Sequence, residues 1–131
     1  MRAWLDEVVL FNGVTATGSY NWYKIDDCQH IMLTLSSASS ANFTIKFQWS
    51  FSDSKPDFSA AQTNTNRWDY IQVKDYQNNS SIDWDTGISF AGTDDVRMVE
   101  FNTNWLKWVS ATITARSAWA VSLRLVAFNN Q

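Results

Sequence analysis

The run Asn42-Phe43-Thr44-Ile45-Lys46-Phe47-Gln48-Trp49-Ser50-Phe51 sets the architecture. Phe43, Ile45, Phe47, Trp49 and Phe51 alternate with Thr44, Lys46, Gln48 and Ser50. A period of two means a strand with one face buried and the other wet. So broad an apolar face needs a second layer to cover it, and the economical cover is another sheet.

The same period recurs on both sides. Ile31, Leu33 and Leu35 alternate with His30, Met32 and Thr34. Val109, Ala111, Ile113 and Ala115 alternate with Ser110, Thr112 and Thr114, and Trp119, Val121, Leu123, Leu125 and Ala127 form another such run. Weaker strands are expected over residues 7–12, 20–25, 68–74, 82–90 and 96–102. Turn residues punctuate them: Asn12-Gly13, Thr17-Gly18, Gly92-Thr93-Asp94-Asp95 and Asn102-Thr103-Asn104. The pattern predicts an all-β chain, a single antiparallel β-sandwich of jelly-roll or immunoglobulin-like type with about eight or nine strands. Residues 7–131 would form the sandwich. Residues 1–6, with Trp4 and Leu5, would form an N-terminal contact arm or the first edge strand. The longest irregular stretch, residues 52–67, contains the single proline, Pro56, and its 58–62 piece suits one helical turn. Loops of this length are usually functional or packed on themselves.

Composition fits this picture. The 131 residues suit one domain. With 15 Ser, 11 Thr and 11 Asn against 18% charged residues, the surface favours strands and turns over helices. The net charge is −3 and the ten basic residues are scattered. A nucleic-acid partner would need a Lys/Arg footprint, so none is expected. No apolar run approaches the roughly 20 residues of a spanning helix, so no membrane partner is expected either. Asp6 and Glu7 stand where a signal peptide would have its apolar core, which points to synthesis in a cytoplasm.

Reactive residues are few. The one cysteine, Cys28, and the one histidine, His30, lie two apart on one strand face. A thiolate–imidazole pair would still lack a third group to orient the base. Structural zinc needs about four ligands, which this pair cannot supply. Asp26-Asp27, Asp83-Trp84-Asp85 and Asp94-Asp95 are the carboxylate clusters. Asp83 and Asp85 would suit a glycosidase pair or a hard cation, but Asp at strand ends equally bonds its own backbone. The expectation is a non-enzymatic chain with no cofactor and no metal.

The surplus is aromatic, with eight Trp, eight Phe and four Tyr. Trp49 and Trp119 lie on inward faces and read as core. Trp22, Trp84, Trp105 and Trp108 lie at strand ends or on outward faces. They are candidates for a protein interface or for stacking on sugar rings, or else they cover the open ends of the sandwich.

Most of the chain resembles one family. The segments 66–75 (Asn-Arg-Trp-Asp-Tyr-Ile-Gln-Val-Lys-Asp), 85–88, 92–97, 100–102 and 106–109 are similar to capsid decoration (auxiliary or cement) β-sandwich proteins of tailed bacteriophages. So are Phe11-Asn12-Gly13, Trp22-Tyr23-Lys24-Ile25, residues 31–35, and Gln48-Trp49-Ser50-Phe51-Ser52-Asp53 running into Pro56-Asp57. The resemblance implies a virion structural protein on the capsid surface. It would be made in the host cytoplasm, dock on the major capsid protein or other virion proteins, and self-associate, for instance as a trimer. It carries no site motif. The alternative expectation is a carbohydrate-binding β-sandwich module, or a phage adhesin or fibre domain, with Trp84 and its flanking aspartates as the platform.

Overall fold

The computed structural model describes residues 2–4, 8–14, 17–25, 30–37, 42–75, 80–82, 87–91, 96–102, 106–118 and 121–130. Among these, twelve strands and no helix are present: β1 (Arg2–Trp4), β2 (Val8–Val14), β3 (Gly18–Lys24), β4 (His30–Ser37), β5 (Asn42–Ser50), β6 (Asp69–Tyr70), β7 (Val73–Asp75), β8 (Ser80–Ile82), β9 (Ile88–Ala91), β10 (Val96–Asn102), β11 (Trp108–Ala118) and β12 (Val121–Asn130). The first sheet has the order β1-β12-β4-β10-β7-β8, with β2 also paired to β12. The second has the order β3-β11-β5-β6, with β9 also paired to β5. All pairings are antiparallel.

The layers meet where the alternation says they should. Ile31, Leu33 and Leu35 of β4, Leu10 of β2, Val73 of β7 and Val99 of β10 face Phe43, Ile45 and Phe47 of β5, Ile88 of β9, and Val109, Ala111 and Ile113 of β11. This is the expected β-sandwich, with its core between the two inner faces. Residues 2–4 pair with β12, Arg2 opposite Asn130 and Trp4 opposite Phe128.

Two expected strands prove to be composite. Residues 68–74 read as one strand, yet their apolar positions shift from Trp68 and Tyr70 to Ile71 and Val73, and Asp69–Tyr70 pairs with β5 in the second sheet, while Val73–Asp75 pairs with β10 in the first. The chain crosses between layers at Ile71, whose amide donates to Phe47 O at 3.0 Å and whose side chain packs against the core. The 82–90 stretch divides in the same way, β8 joining the first sheet and β9 the second. Gly87 opens the way into β9 at φ +72°, and a Cβ there would lie 2.4 Å from Ile45 O. Only glycine fits both the left-handed backbone and that approach.

Candidate functional site

The outer face of the second sheet carries the unusual chemistry. Register places Trp22, Ser110, Gln48 and Tyr70 in one row across β3, β11, β5 and β6. Lys24, Trp108 and Ser50 form the next row. By parity these side chains point away from the core, yet Gln48, Ser50, Ser110 and Trp108 are all buried. The loop 51–68 bonds Gln48, Ser50 and Trp108 from above.

Its own polar groups hold that loop in shape. Asn66 is the clamp: its Oδ1 accepts from the Asp57 amide at 2.7 Å, and its Nδ2 donates to Asp57 O at 2.9 Å and Ala61 O at 3.0 Å. Thr63 N donates to Asn66 O at 3.1 Å, and Asn66 N returns a bond to Thr63 Oγ1 at 3.0 Å. Asp57 accepts from the Ser59 amide and hydroxyl, which holds its carboxyl below the usual carboxylate range. The expected helical turn over 58–62 is instead one β-turn, closed by Ala60 N donating to Asp57 O. Pro56 and Phe58 are the buried anchors.

The loop satisfies the sheet beneath it. Gln48 Nε2 donates to Phe58 O at 2.9 Å, and the Ser19 hydroxyl shares one proton between Gln48 Oε1 and Phe58 O, both at 3.0 Å. Ser50 Oγ donates to Arg67 O at 2.5 Å and accepts from Ser52 N. Trp108 Nε1 donates to Ser52 O at 2.8 Å. Ser110 Oγ donates to Asn21 O at 2.8 Å instead, so the buried side chains of Gln48, Ser50, Ser110 and Trp108 all have partners, as burial demands. At the loop's start Asp53 pairs with Lys107, which holds the Asp53 carboxyl below its usual range.

Two aromatic assemblies result, at opposite edges of this sheet. On β3, Trp22 is 44% exposed and stands edge-on to buried Trp108, ring centroids 5.3 Å apart. The Lys55 ammonium lies 4.8 Å from the Trp22 ring centre, and the Lys24 ammonium 5.3 Å from that of Trp108. On the β5–β6 side, Phe58, Trp68 and Tyr70 form a chain with centroid steps of 6.2 and 5.2 Å. Lys46 caps it over Tyr70. Trp68 Nε1 donates to Ala60 O, and Trp49 Nε1 donates to Tyr70 O. Between Trp49, Phe51 and Trp68 opens a groove of about 280 Å³, also lined by Gln62, Thr63, Arg67 and Asp69.

Of the residues singled out in the sequence, Trp22 and Trp108 come together. Trp108 is covered, and only Trp22 offers surface. Trp4 lies in β1. Leu5, Trp84 and Trp105 lie outside the described residues, as do Cys28, Trp119 and all three carboxylate clusters. His30 begins β4, opposite Asn102 and Phe128. Trp49 is only partly buried, and Phe51, expected inside, is 57% exposed. Among the described residues no three His, Cys, Asp or Glu side chains converge. The groove residues Phe51, Arg67, Trp68 and Asp69 were not singled out as a site. Their signal was the length of the irregular stretch that contains or flanks them.

No protein-family model matches the sequence, and no curated protein matches it. Solved structures do match in fold. One is the SPBc2 prophage-derived protein YomS, at TM-score 0.71 and 10% identity, covering 98% of this chain and 96% of that one. Another is the PBSX exported protein XepA, at TM-score 0.71 and 12% identity, covering 98% of this chain and 38% of that one. This chain therefore spans well under half the length of XepA. Both structural neighbours are phage-derived proteins.

Proposed function

We propose that the chain is a non-enzymatic phage virion protein that works by adhesion, in the role of a capsid decoration (auxiliary or cement) protein. The Trp22 corner carries the reading. A large ring, part exposed and braced edge-on by a buried Trp, is the kind of pre-ordered anchor that dominates protein interfaces. It loses little side-chain freedom on docking, because Trp108 and Lys55 already restrict it. Lys55 over its ring favours an acidic patch on the partner, a major capsid protein or another virion protein. The fold shared with two phage-derived proteins supports this setting, although fold does not assign function and the weight rests on the corner. Repetition over a particle lets each contact be weak. Self-association as a trimer and residence on the capsid surface, after synthesis in the host cytoplasm, complete the proposal.

The test is mass spectrometry of purified particles with the copy number of this chain. Tens to hundreds of copies per particle are expected, and Trp22→Ala is expected to lower that occupancy while the isolated protein stays folded. Particles that lack the chain would refute the reading.

A further inference from the structure

A second binding feature lies on the far side of the same sheet from Trp22 and goes beyond the docking role. The groove between Trp49, Phe51 and Trp68 is small, at about 280 Å³. That is just under the roughly 300 Å³ at which pockets for drug-sized ligands begin, so it suits one ring at a time. Its apolar wall is aromatic, with Trp49 and Phe51 tilted at 37° and centroids 5.7 Å apart. Phe51 is more than half exposed, although its strand pattern would bury it. Both indole N–H groups are already used inside the protein, by Tyr70 O and Ala60 O. The rings therefore offer the groove their π-surfaces, whose negative potential attracts polarised C–H groups.

The rest of the lining is polar and holds unused capacity. Asp69 Oδ1 accepts from Gln62 Nε2 at 3.1 Å and from the Tyr70 amide at 2.8 Å, which fixes the carboxylate. Its Oδ2 has no partner among the described residues. Arg67 Nε donates to Asn64 O at 2.7 Å, which leaves its two terminal amino groups without a partner among the described residues. A held acceptor and a held double donor thus line the same groove as the aromatic rings. Their charges cancel, which selects against strongly ionic ligands. Sugar hydroxyls match a groove lined by both a carboxylate and a guanidinium, since a hydroxyl can donate to the one and accept from the other. The C–H face of a pyranose ring matches the aromatic wall.

From this complementarity we infer that the groove is a subsite for a neutral pyranose unit of a glycan. Phe51 and Trp49 supply the stacking surface, and Asp69 and Arg67 bond its hydroxyls. Gln62 and Asn64 keep those two groups in place. Any enclosing motion is unnecessary, because the clamp at Asn66 already orders the loop.

The test is a tryptophan-fluorescence titration of the whole chain with chitotetraose and with cellotetraose, up to 10 mM. A saturable change with at least one of them is expected. Phe51→Ala and Asp69→Asn should each weaken it about tenfold, the loss expected for one stacking contact or one charged hydrogen bond. Asp69→Asn keeps an oxygen for Gln62 and Tyr70, so circular dichroism should be unchanged. Trp22→Ala should titrate like the wild type, which separates this site from the docking corner. No saturable change with either sugar overturns the inference. So does a change that survives both groove substitutions. So does a fluorescence change that follows protein concentration without sugar, which would make the groove a contact between copies.

Discussion

Within β5, residues 43–47 and residues 48–50 carry the same alternation but reach burial in opposite ways. Phe43, Ile45 and Phe47 are buried between the sheets, while Thr44 and Lys46 stay partly exposed on the outer face. From Gln48 onward the polar residues become the buried ones: Gln48 and Ser50 lie under the loop, and Phe51 just beyond them is open to solvent. The first half follows hydrophobic transfer. The second follows hydrogen-bond satisfaction, with the loop's carbonyls in place of water.

The contrast breaks most sharply in the first half. Phe47→Ala removes a ring that is 2% exposed and should cost about 3–5 kcal/mol, seen as a lower urea midpoint. Gly87→Ala attacks the same half from β9, because the new methyl would meet Ile45 O. A strained backbone plus that contact should cost about 3 kcal/mol by the same measurement. In the second half, Gln48→Ala strips Phe58 O of its amide donor and should cost about 2 kcal/mol. Asn66→Ala should cost only about 1 kcal/mol in global stability. Its clearer effect is selective: protease cleavage within 57–66 should rise many-fold while the sheets stay protected.

The smallest effect comes from pH. The Asp57 carboxyl titrates below its unfolded value, so its contribution is complete above the ordinary pKa of about 3.9 and is lost as pH falls through the lowered folded value. The Ser59 amide resonance should therefore hold steady from neutral pH down to about pH 5 and move only in stronger acid. Asp57→Asn should abolish that movement. If Ser59 titrates identically in the variant, the carboxylate is not its partner.

What could be read in advance follows the same division. Alternation located β4, β5, β10, β11 and β12 because side-chain transfer energy is a local signal. At Ile71 the period slips by one residue, from Trp68 and Tyr70 to Ile71 and Val73, which flips the buried face but does not say that the hydrogen-bond partner changes from β5 to β10. Nor could it bury Gln48 and Ser50, whose cover arrives from residues up to 17 positions away. Trp22 was legible as exposed, and Trp108 was legible as outward-facing but not as covered. The groove was legible only as an irregular stretch too long to be idle, because its polar wall is assembled by contacts within the loop.

The position of β11 and β12 has a temporal consequence. Each lies inside its sheet, β11 between β3 and β5, and β12 between β4 and the pair β1 and β2. Both come from residues 108–130, the last part of this stretch to leave a ribosome. Until they emerge, β3 has no described ladder partner, and neither β1 nor β2 has one. The usual habit of folding from the N-terminus during synthesis is therefore closed to this sandwich. It should assemble late, in one cooperative step, after an interval in which several unpaired strand edges depend on Ser, Thr and Asn to keep them from one another.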